Sequence, residues 1–435
     1  MESRNRSFRR LLGALKARLP DLGLEKVDDP RGEYNRGWRL YSLLTAALAG
    51  CAAGGKGLGE VESLTEVLAH PLRALWGISR RMPDTTLRDT LVQVKPEELR
   101  ACLHRQVHQA HRRKALCASE LPCGVVSIDG KYTKTPKWDD HYAQRQSGQN
   151  GQPPYGLVRT LTCSLITAAA VPCLDAVPIP AATNEMGHFK LAVAELEKAY
   201  RGLNLYEIIM GDAGMCSLDN ATYIHAECNK GYIFRIKETQ PTLLTEARRI
   251  LAGLADATAV ATHIDVLPGN RTVTRRLWLT TEMEGWLDWT HLRTVFRLQV
   301  TTVEKDGSQT PQDRYYVSNV LKGRFKPHQW ITVFRSHWHV ENNCHWTFDM
   351  IFQEDKRPWI LDPQGMVVVI VLRRMAYNLM SLYRVVTQRS DDKRRRPWPE
   401  LLRSLQWALL CATEQMLEGL RCRRPFATGA AGGPV

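Results

Sequence analysis

The sequence lacks the features that mark secreted, membrane-spanning and zinc-binding proteins. Its 11 cysteines are scattered along 435 residues, and no two of them have the C-x-x-C spacing, which disfavours a disulfide scaffold and a cysteine-based zinc site. No uninterrupted apolar run reaches the roughly 18–20 residues that cross a bilayer. The basic N-terminus also lacks the apolar core of a secretory signal. These absences predict a cytoplasmic protein that does not bind membranes.

Acidic residues are also comparatively few. The chain has 59 Lys and Arg against 45 Asp and Glu, a formal net charge of +14. Such an excess favours a polyanionic partner, because each neutralised phosphate releases condensed counterions. Charge alone leaves nucleic acid and an ordinary solvated basic surface about equally plausible. Two basic segments stand out, an amphipathic helix predicted over residues 8–19 and an exposed loop at residues 393–396.

The hydrophobic pattern divides the chain into five parts. We predict a helical N-terminal domain (1–118), the first part of an α/β core (119–256), a β-rich insertion (257–322), a helical completion of the core (323–390), and a basic C-terminal segment with a flexible tail (391–435). Within the core, three strands, a helix, a strand, a helix and a strand follow one another. This order is typical of an α/β fold with a mixed sheet and helices packed on it.

Two acidic residues follow apolar strands of the predicted core. Asp129 comes after the run 125–128, and Asp212 comes after the run 205–210; we predict that each strand ends there in a glycine-bearing turn. In an open sheet, ligands bind at such strand ends. Two carboxylates about 4 Å apart repel by roughly 4 kcal/mol at an effective dielectric near 20, which a divalent cation between them would relieve. Taken singly, each aspartate is more often only a turn residue.

A third acidic candidate lies in the helical tract 327–350. His337, Glu341 and His345 recur every four residues and therefore share one helical face. An amphipathic helix with surface polar residues explains this spacing equally well. A zinc site is disfavoured because the HExxH spacing is absent.

Five short motifs in a fixed order resemble the DDE transposases of bacterial insertion sequences, specifically the ISAs-type group. They are IDGK at 128–131, GDA at 211–213, GYIFRIK at 231–237 with Gln240-Pro241, YYVSN at 315–319, and HWHVEN at 337–342. The resemblance covers roughly residues 25–385. The segment 132–152 departs from it, being longer than the family's.

The resemblance implies a ribonuclease-H-like mixed sheet with flanking helices, interrupted by the β-rich insertion and preceded by the helical domain. It assigns Asp129, Asp212 and Glu341 to a metal-binding triad for Mg²⁺, with Mn²⁺ able to substitute; Asp349, Glu354 and Asp355 remain alternatives for the third acid. The expected partners are double-stranded DNA, both the terminal inverted repeats of the element and the target, and at least one further copy of the chain. The expected location is the bacterial cytoplasm, at the nucleoid.

The same resemblance suggests DNA contacts. Lys131, Lys237, Gln240 and His337 are the candidates for binding the DNA, and Trp286 and Trp289 of the insertion are candidates for stacking on a flipped base, although core packing is the commoner fate of a tryptophan. The predicted activity is phosphodiester hydrolysis at the element ends followed by strand transfer. Two other interpretations stay open: an inactive transposase-derived DNA-binding protein, and a stand-alone nuclease or resolvase of the same fold.

Overall fold

The computed structural model describes residues 2–118, 120–148, 151–267, 269, 271–339, 344–388 and 390–418. The tail predicted to be flexible therefore lies almost wholly outside the described residues. The helices are α1 (Glu2–Arg18), α2 (Leu40–Ala52), α3 (Leu58–Val67), α4 (His70–Trp76), α5 (Asp84–Leu91), α6 (Pro96–Arg112), α7 (Glu185–Ala199), α8 (Leu218–Thr222), α9 (Pro241–Leu251), α10 (Pro327–His339), α11 (Pro363–Leu382), α12 (Asp391–Arg394), α13 (Trp398–Leu410) and α14 (Glu414–Glu418). The strands are β1 (Val125–Thr135), β2 (Ala143–Gln146), β3 (Tyr155–Leu165), β4 (Cys173–Pro178), β5 (Ile208–Gly211), β6 (Gly231–Ile236), β7 (Ala261–Leu267), β8 (Arg271–Thr280), β9 (Thr294–Val303) and β10 (Gln309–Ser318).

The strands form one mixed sheet with helices on its faces. Its order is β2-β3-β1-β5-β6-β10-β9-β8-β7, with β4 paired to β3. Strand β1 is antiparallel to β3 and parallel to β5, and β5 is parallel to β6. This α/β arrangement is compatible with the ribonuclease-H-like fold expected from the sequence.

The strands of the expected insertion continue this sheet. Strand β10 pairs antiparallel with β6, and β9, β8 and β7 follow it outward. The sequence pattern did not predict this continuity, because strand pairing across about 80 residues leaves no local signal. The sequence pattern also did not predict strand β7 or strand β2, which lies inside the segment 132–152.

Helix α11 lies at the centre of the helical part. It packs against α2, α6 and β4, and all of its side chains except that of Gln364 are buried. By length and composition, the segment Pro363–Thr387 is apolar enough to cross a membrane, which corrects the expectation of no such segment; its most apolar window is wholly buried inside the protein. Sequence reading passed it over because Arg373 and Arg374 interrupt the apolar run.

Strand β1 is longer than its apolar run. We expected a turn at Asp129, but the strand continues to Thr135 because β3 pairs with it from Val126 to Thr135. Only its parallel pairing with β5 stops at Ile128. Asp129 therefore lies where β1 keeps one neighbouring strand and loses the other.

Candidate active site

Asp129 and Asp212 occupy equivalent positions on adjacent parallel strands. The last register pair of β1 and β5 joins Ile128 to Gly211, so each aspartate is the next residue along the chain. Asp212 keeps an extended backbone, with φ −70° and ψ 173°. Because neighbouring strands lie about 4.8 Å apart and residues in register point to the same face, the two aspartates lie side by side where the parallel pairing of β1 and β5 ends.

Two cations extend this row onto β6. Gly211 pairs with Phe234, which places Arg235 beside Asp212: an Arg235 guanidinium nitrogen and the Lys237 Nζ each lie 3.9 Å from a different oxygen of the Asp212 carboxylate. The Arg235 Nε is buried and has no hydrogen-bond partner within the described part of the chain. Sequence reasoning missed Arg235, since only the strand register shows that it neighbours Asp212.

Gln240, the other residue of this region expected to bind DNA, turns back toward the protein. Its side-chain amide donates a hydrogen bond to the Cys216 carbonyl at 3.1 Å. Gln240 also precedes α9, which begins at Pro241. The side chain thus links α9 to the segment that follows Asp212, and its DNA contact stays a prediction.

The helical tract predicted to carry the third acid lies along one face of β1. Ser127, Asp129 and Lys131 alternate along the strand and therefore share a face. The Ser127 hydroxyl lies 2.9 Å from the His337 Nδ1, and an Asp129 oxygen lies 3.3 Å from the His345 Nδ1. These contacts fix the tract on β1 on both sides of residues 340–343.

Both histidines are neutral near pH 7. Burial lowers the pKa of His337 to about 4, although the nearby Asp212 acts in the opposite direction. Burial, helped by Arg374 and Lys131, lowers the pKa of His345 to about 3. A neutral imidazole beside a carboxylate is held in the tautomer whose N–H faces that carboxylate. The His345 Nδ1 therefore faces the Asp129 carboxylate, 3.3 Å away.

Glu341 lies outside the described residues, as do its neighbours Val340, Asn342 and Asn343. The structure does describe the three alternatives for the third acid. Glu354 is fully buried and accepts two hydrogen bonds from Arg374, at 2.7 and 2.9 Å. Since both of its oxygens accept from one guanidinium, Glu354 has the environment of a buried structural ion pair.

Asp349 and Asp355 both pair with Lys131. The Lys131 Nζ contacts Asp349 and lies 3.0 Å from an Asp355 oxygen. The Lys131 side chain is only 7% exposed. In this structure the lysine expected to bind DNA instead joins β1 to the helical tract, and its DNA contact stays a prediction.

Glu185 is a further carboxylate at the site, and sequence reasoning did not select it. It begins α7, which Asn184 caps by accepting a hydrogen bond from the Gly187 N–H at 2.9 Å. Its carboxylate lies so close to Gly130 that a Cβ added there would come well within 3.0 Å of it. Burial raises the pKa of Glu185, opposed by Arg159 and reinforced by the charge of Asp212. The sequence feature that could have indicated Glu185 is its position as an acidic residue at the start of the first helix after β4.

The two tryptophans of the insertion belong to the core in this structure. Trp289 is 6% exposed, and its ring packs against those of Tyr232 and His291. Trp286 is partly buried, and its Nε1 has no hydrogen-bond partner among the described residues. Stacking on a base would require either ring to leave this packing, and that role stays a prediction.

Comparison with known proteins gives one distant relationship. No protein-family model matches this chain. The chain is similar to the H repeat-associated putative transposase YhhI of Escherichia coli strain K12, with 23% identity over 347 residues. The aligned region spans 74% of this chain and 81% of the relative. The similarity therefore extends far beyond the short motifs around Asp129, Asp212 and Glu341.

Proposed function

We propose that this chain is a DDE-type DNA transposase of the ISAs-type group, which cleaves the ends of its own element and joins them to target DNA at one metal site. The observation that carries the proposal is the adjacency of Asp129 and Asp212 just past the last parallel pair of β1 and β5. The similarity to a protein named as a transposase supports the same class.

The donors at this site fit a hard divalent cation. Asp129 and Asp212 offer carboxylate oxygens, the ligands that magnesium prefers, and their mutual repulsion falls when a cation lies between them. Within the described ranges no group of three metal-ligating side chains is close enough to hold an ion, so the proposal needs Glu341. Bound Mg²⁺, or Mn²⁺ in its place, polarises a phosphate oxygen and lowers the pKa of an attacking water.

The helical repeat supports Glu341 as the third acid. It follows His337 by four residues and precedes His345 by four, so in a continuous helix the three share one face. Both histidines contact β1, at Ser127 and at Asp129. A helix holding that face against β1 would direct Glu341 toward the aspartates.

The remaining residues of the row bind and orient the DNA in this proposal. Arg235 and Lys237 place positive charge on the far side of Asp212, where they would hold non-bridging oxygens of the scissile phosphate. His345 keeps Asp129 oriented. The phosphate contact implied for His337 belongs to the same proposal, which is compatible with its position near Asp212.

Two reactions would share this site. Hydrolysis at the terminal repeat releases a 3′-hydroxyl, which then attacks the target phosphodiester in line. Holding two element ends together requires at least two copies of the chain, most simply a symmetric dimer. We propose that this complex works on the nucleoid in the bacterial cytoplasm.

The test is metal-dependent cleavage of DNA carrying the inverted repeats that flank the reading frame. Asp129→Asn, Asp212→Asn and Glu341→Gln should each lower cleavage at least about 100-fold, because loss of even an outer-shell partner costs 10–100-fold, while end binding remains. Asp219→Asn is the matched control, since the Asp219 side chain is 78% exposed and pairs only with Lys190 within the described chain. Cleavage by Asp212→Asn at the rate of the unchanged protein would refute the proposal.

The same assay separates the two rival functions. Joining of cleaved ends to a target plasmid identifies a transposase, whereas cleavage without joined products identifies a stand-alone nuclease. End binding without cleavage in Mg²⁺ or Mn²⁺ identifies an inactive DNA-binding protein.

A further inference from the structure

A cleft lined by none of the residues proposed for cleavage lies between α1 and the segment that leads into α13. Its volume is about 630 Å³, and α1, the segment around α12 and the start of α13 line it. Five of its lining residues are basic, Arg6, Arg10, Lys393, Arg395 and Arg396, and two are acidic, Asp392 and Glu400. Together these side chains carry a net charge of +3. The sequence placed the basic helix and the basic loop nearly 390 residues apart, and only the fold brings them together.

Most of this positive charge is uncompensated. Arg396 lies 3.3 Å from Glu400, whereas Arg6, Arg10, Lys393 and Arg395 make no ion pair within the described part of the chain. Tyr383 forms part of the floor and is buried. Burial raises its pKa, and a hydrogen bond with Gln388 and the charges of Arg396 and Arg10 act against that rise, so arginines of both segments lie near enough to Tyr383 for their charges to act on it.

The cleft continues along the groove between α1 and α13. A neighbouring cavity of about 560 Å³ shares Ser7, Arg396 and Glu400 with it and adds Arg403 and Ser404. Arg6 and Arg10 are four residues apart on α1, a rise of about 6 Å along one helical face. Basic side chains therefore line an elongated trough, not a single point.

We infer that this trough binds the phosphate backbone of duplex DNA, away from the residues proposed for cleavage. Four of its cations are exposed and have no ion-pair partner among the described residues, as expected for sequence-independent contacts to a long polyanion; a small phosphate would need converging, buried donors. The choice of DNA over an anionic lipid surface rests on the proposed function. The trough would hold DNA next to the cleaved end or the target.

The test is a charge-neutralising variant of the full chain carrying Arg6→Gln, Arg10→Gln, Lys393→Gln and Arg395→Gln. Its affinity for a 30-base-pair duplex of arbitrary sequence (about three helical turns) is measured by fluorescence anisotropy across NaCl concentrations, in EDTA to prevent cleavage. Four lost phosphate contacts should reduce the salt slope by up to about 3.6, at about 0.9 per contact. Affinity near 0.1 M salt should fall at least about tenfold.

The matched control removes the same charge elsewhere, through Lys26→Gln, Lys198→Gln, Arg201→Gln and Lys322→Gln, all exposed residues. The inference holds if the trough variant loses much more affinity and slope than this control. Equal losses, or no DNA binding by the unchanged protein, overturn it. The inference is also overturned if the trough variant loses binding to phosphatidylserine vesicles but binds DNA as before. In that case the ligand of the trough is a lipid surface. Because the binding assay contains no free metal, its result can be interpreted even if the proposed cleavage activity is absent.

Discussion

The buried pair of Glu354 and Arg374 fixes the helical tract that approaches the aspartates. Arg374 donates to both oxygens of Glu354, at 2.7 and 2.9 Å, and neither side chain is more than 1% exposed. The Arg374 guanidinium also lies 3.5 Å from the centre of the Phe348 ring. Burial alone would raise the pKa of Glu354, but Arg374 and its hydrogen bonds hold it below the ordinary value. Arg374 on α11 therefore holds the segment that follows residues 340–343.

Replacing Arg374 with methionine should destabilise the protein by up to about 3–5 kcal/mol, because Glu354 loses both of its hydrogen bonds and keeps only Arg373, 4.0 Å away, to offset its buried charge. The double variant Arg374→Met/Glu354→Leu should recover part of this loss, since the desolvation cost of the carboxylate disappears while the buried Arg373 loses its nearby opposite charge. Arg88→Met is the control for loss of an exposed ion pair, because Arg88 and Asp89 are more than half exposed. Its effect should stay below about 1 kcal/mol.

Urea denaturation measures these differences, and hydrogen exchange shows where they act. In Arg374→Met, amides of residues 344–355 should exchange faster while those of β8 and β9 keep their protection, because the pair anchors that tract locally. The argument is refuted if Arg374→Met costs no more than Arg88→Met.

Two further perturbations test the geometry around the aspartates. Gly130→Ala would place a methyl group against the Glu185 carboxylate, the flexible end of that side chain, and should move this carboxylate away from the site. Metal-dependent cleavage should then fall by up to about tenfold. Gly253→Ala, where nothing lies within 4 Å, should have no effect, and equal activity of the two variants would contradict a role for Glu185 at the site. Folding lowers the pKa of His337 from 6.5 to about 4 and that of His345 from 6.5 to about 3. Below pH 6.5 the unfolded chain therefore binds more protons than the folded chain. The free energy of unfolding should fall by up to about 1.4 kcal/mol per pH unit for each histidine. Urea titrations of the metal-free protein at pH 7, 6 and 5 measure this slope, and an unchanged free energy of unfolding between pH 6.5 and 5 would show that the rings are not buried in neutral form.

Local patterns predicted most of the individual elements. The apolar run 125–128 begins β1 (Val125–Thr135), the run 205–210 contains most of β5 (Ile208–Gly211), and the tract 327–350 contains α10 (Pro327–His339). These segments succeed because each has one apolar face and ends near a turn or capping residue. Asp129 and Asp212 were also found this way, because an apolar run ending in an acidic residue is a local feature.

Residues whose role depends on register or packing were not predictable. Arg235 reads as an ordinary polar residue of an alternating strand, and Lys131 reads as an exposed cation beside an acidic motif. The first is placed beside Asp212 by the parallel pairing of β5 and β6. The second is buried because the distant Asp349 and Asp355 close over it. Neither neighbour is visible in the local sequence.

The site is best understood as a row across the sheet. Asp129, Asp212 and Arg235 occupy successive strands in the order β1, β5, β6, and β10 continues the row with Tyr316, which pairs with Arg235. Two negative groups therefore adjoin a positive one within two strand spacings of roughly 4.8 Å each. In the proposed function, the metal would lie beside Asp129 and Asp212, and the phosphate would lie beside Arg235. Asp212 would then adjoin both of them. Backbone pairing between the strands sets this order. A register shift by one residue would turn the aspartates to the opposite face of the sheet. The strand register is therefore as important to the proposed chemistry as the acidic residues themselves.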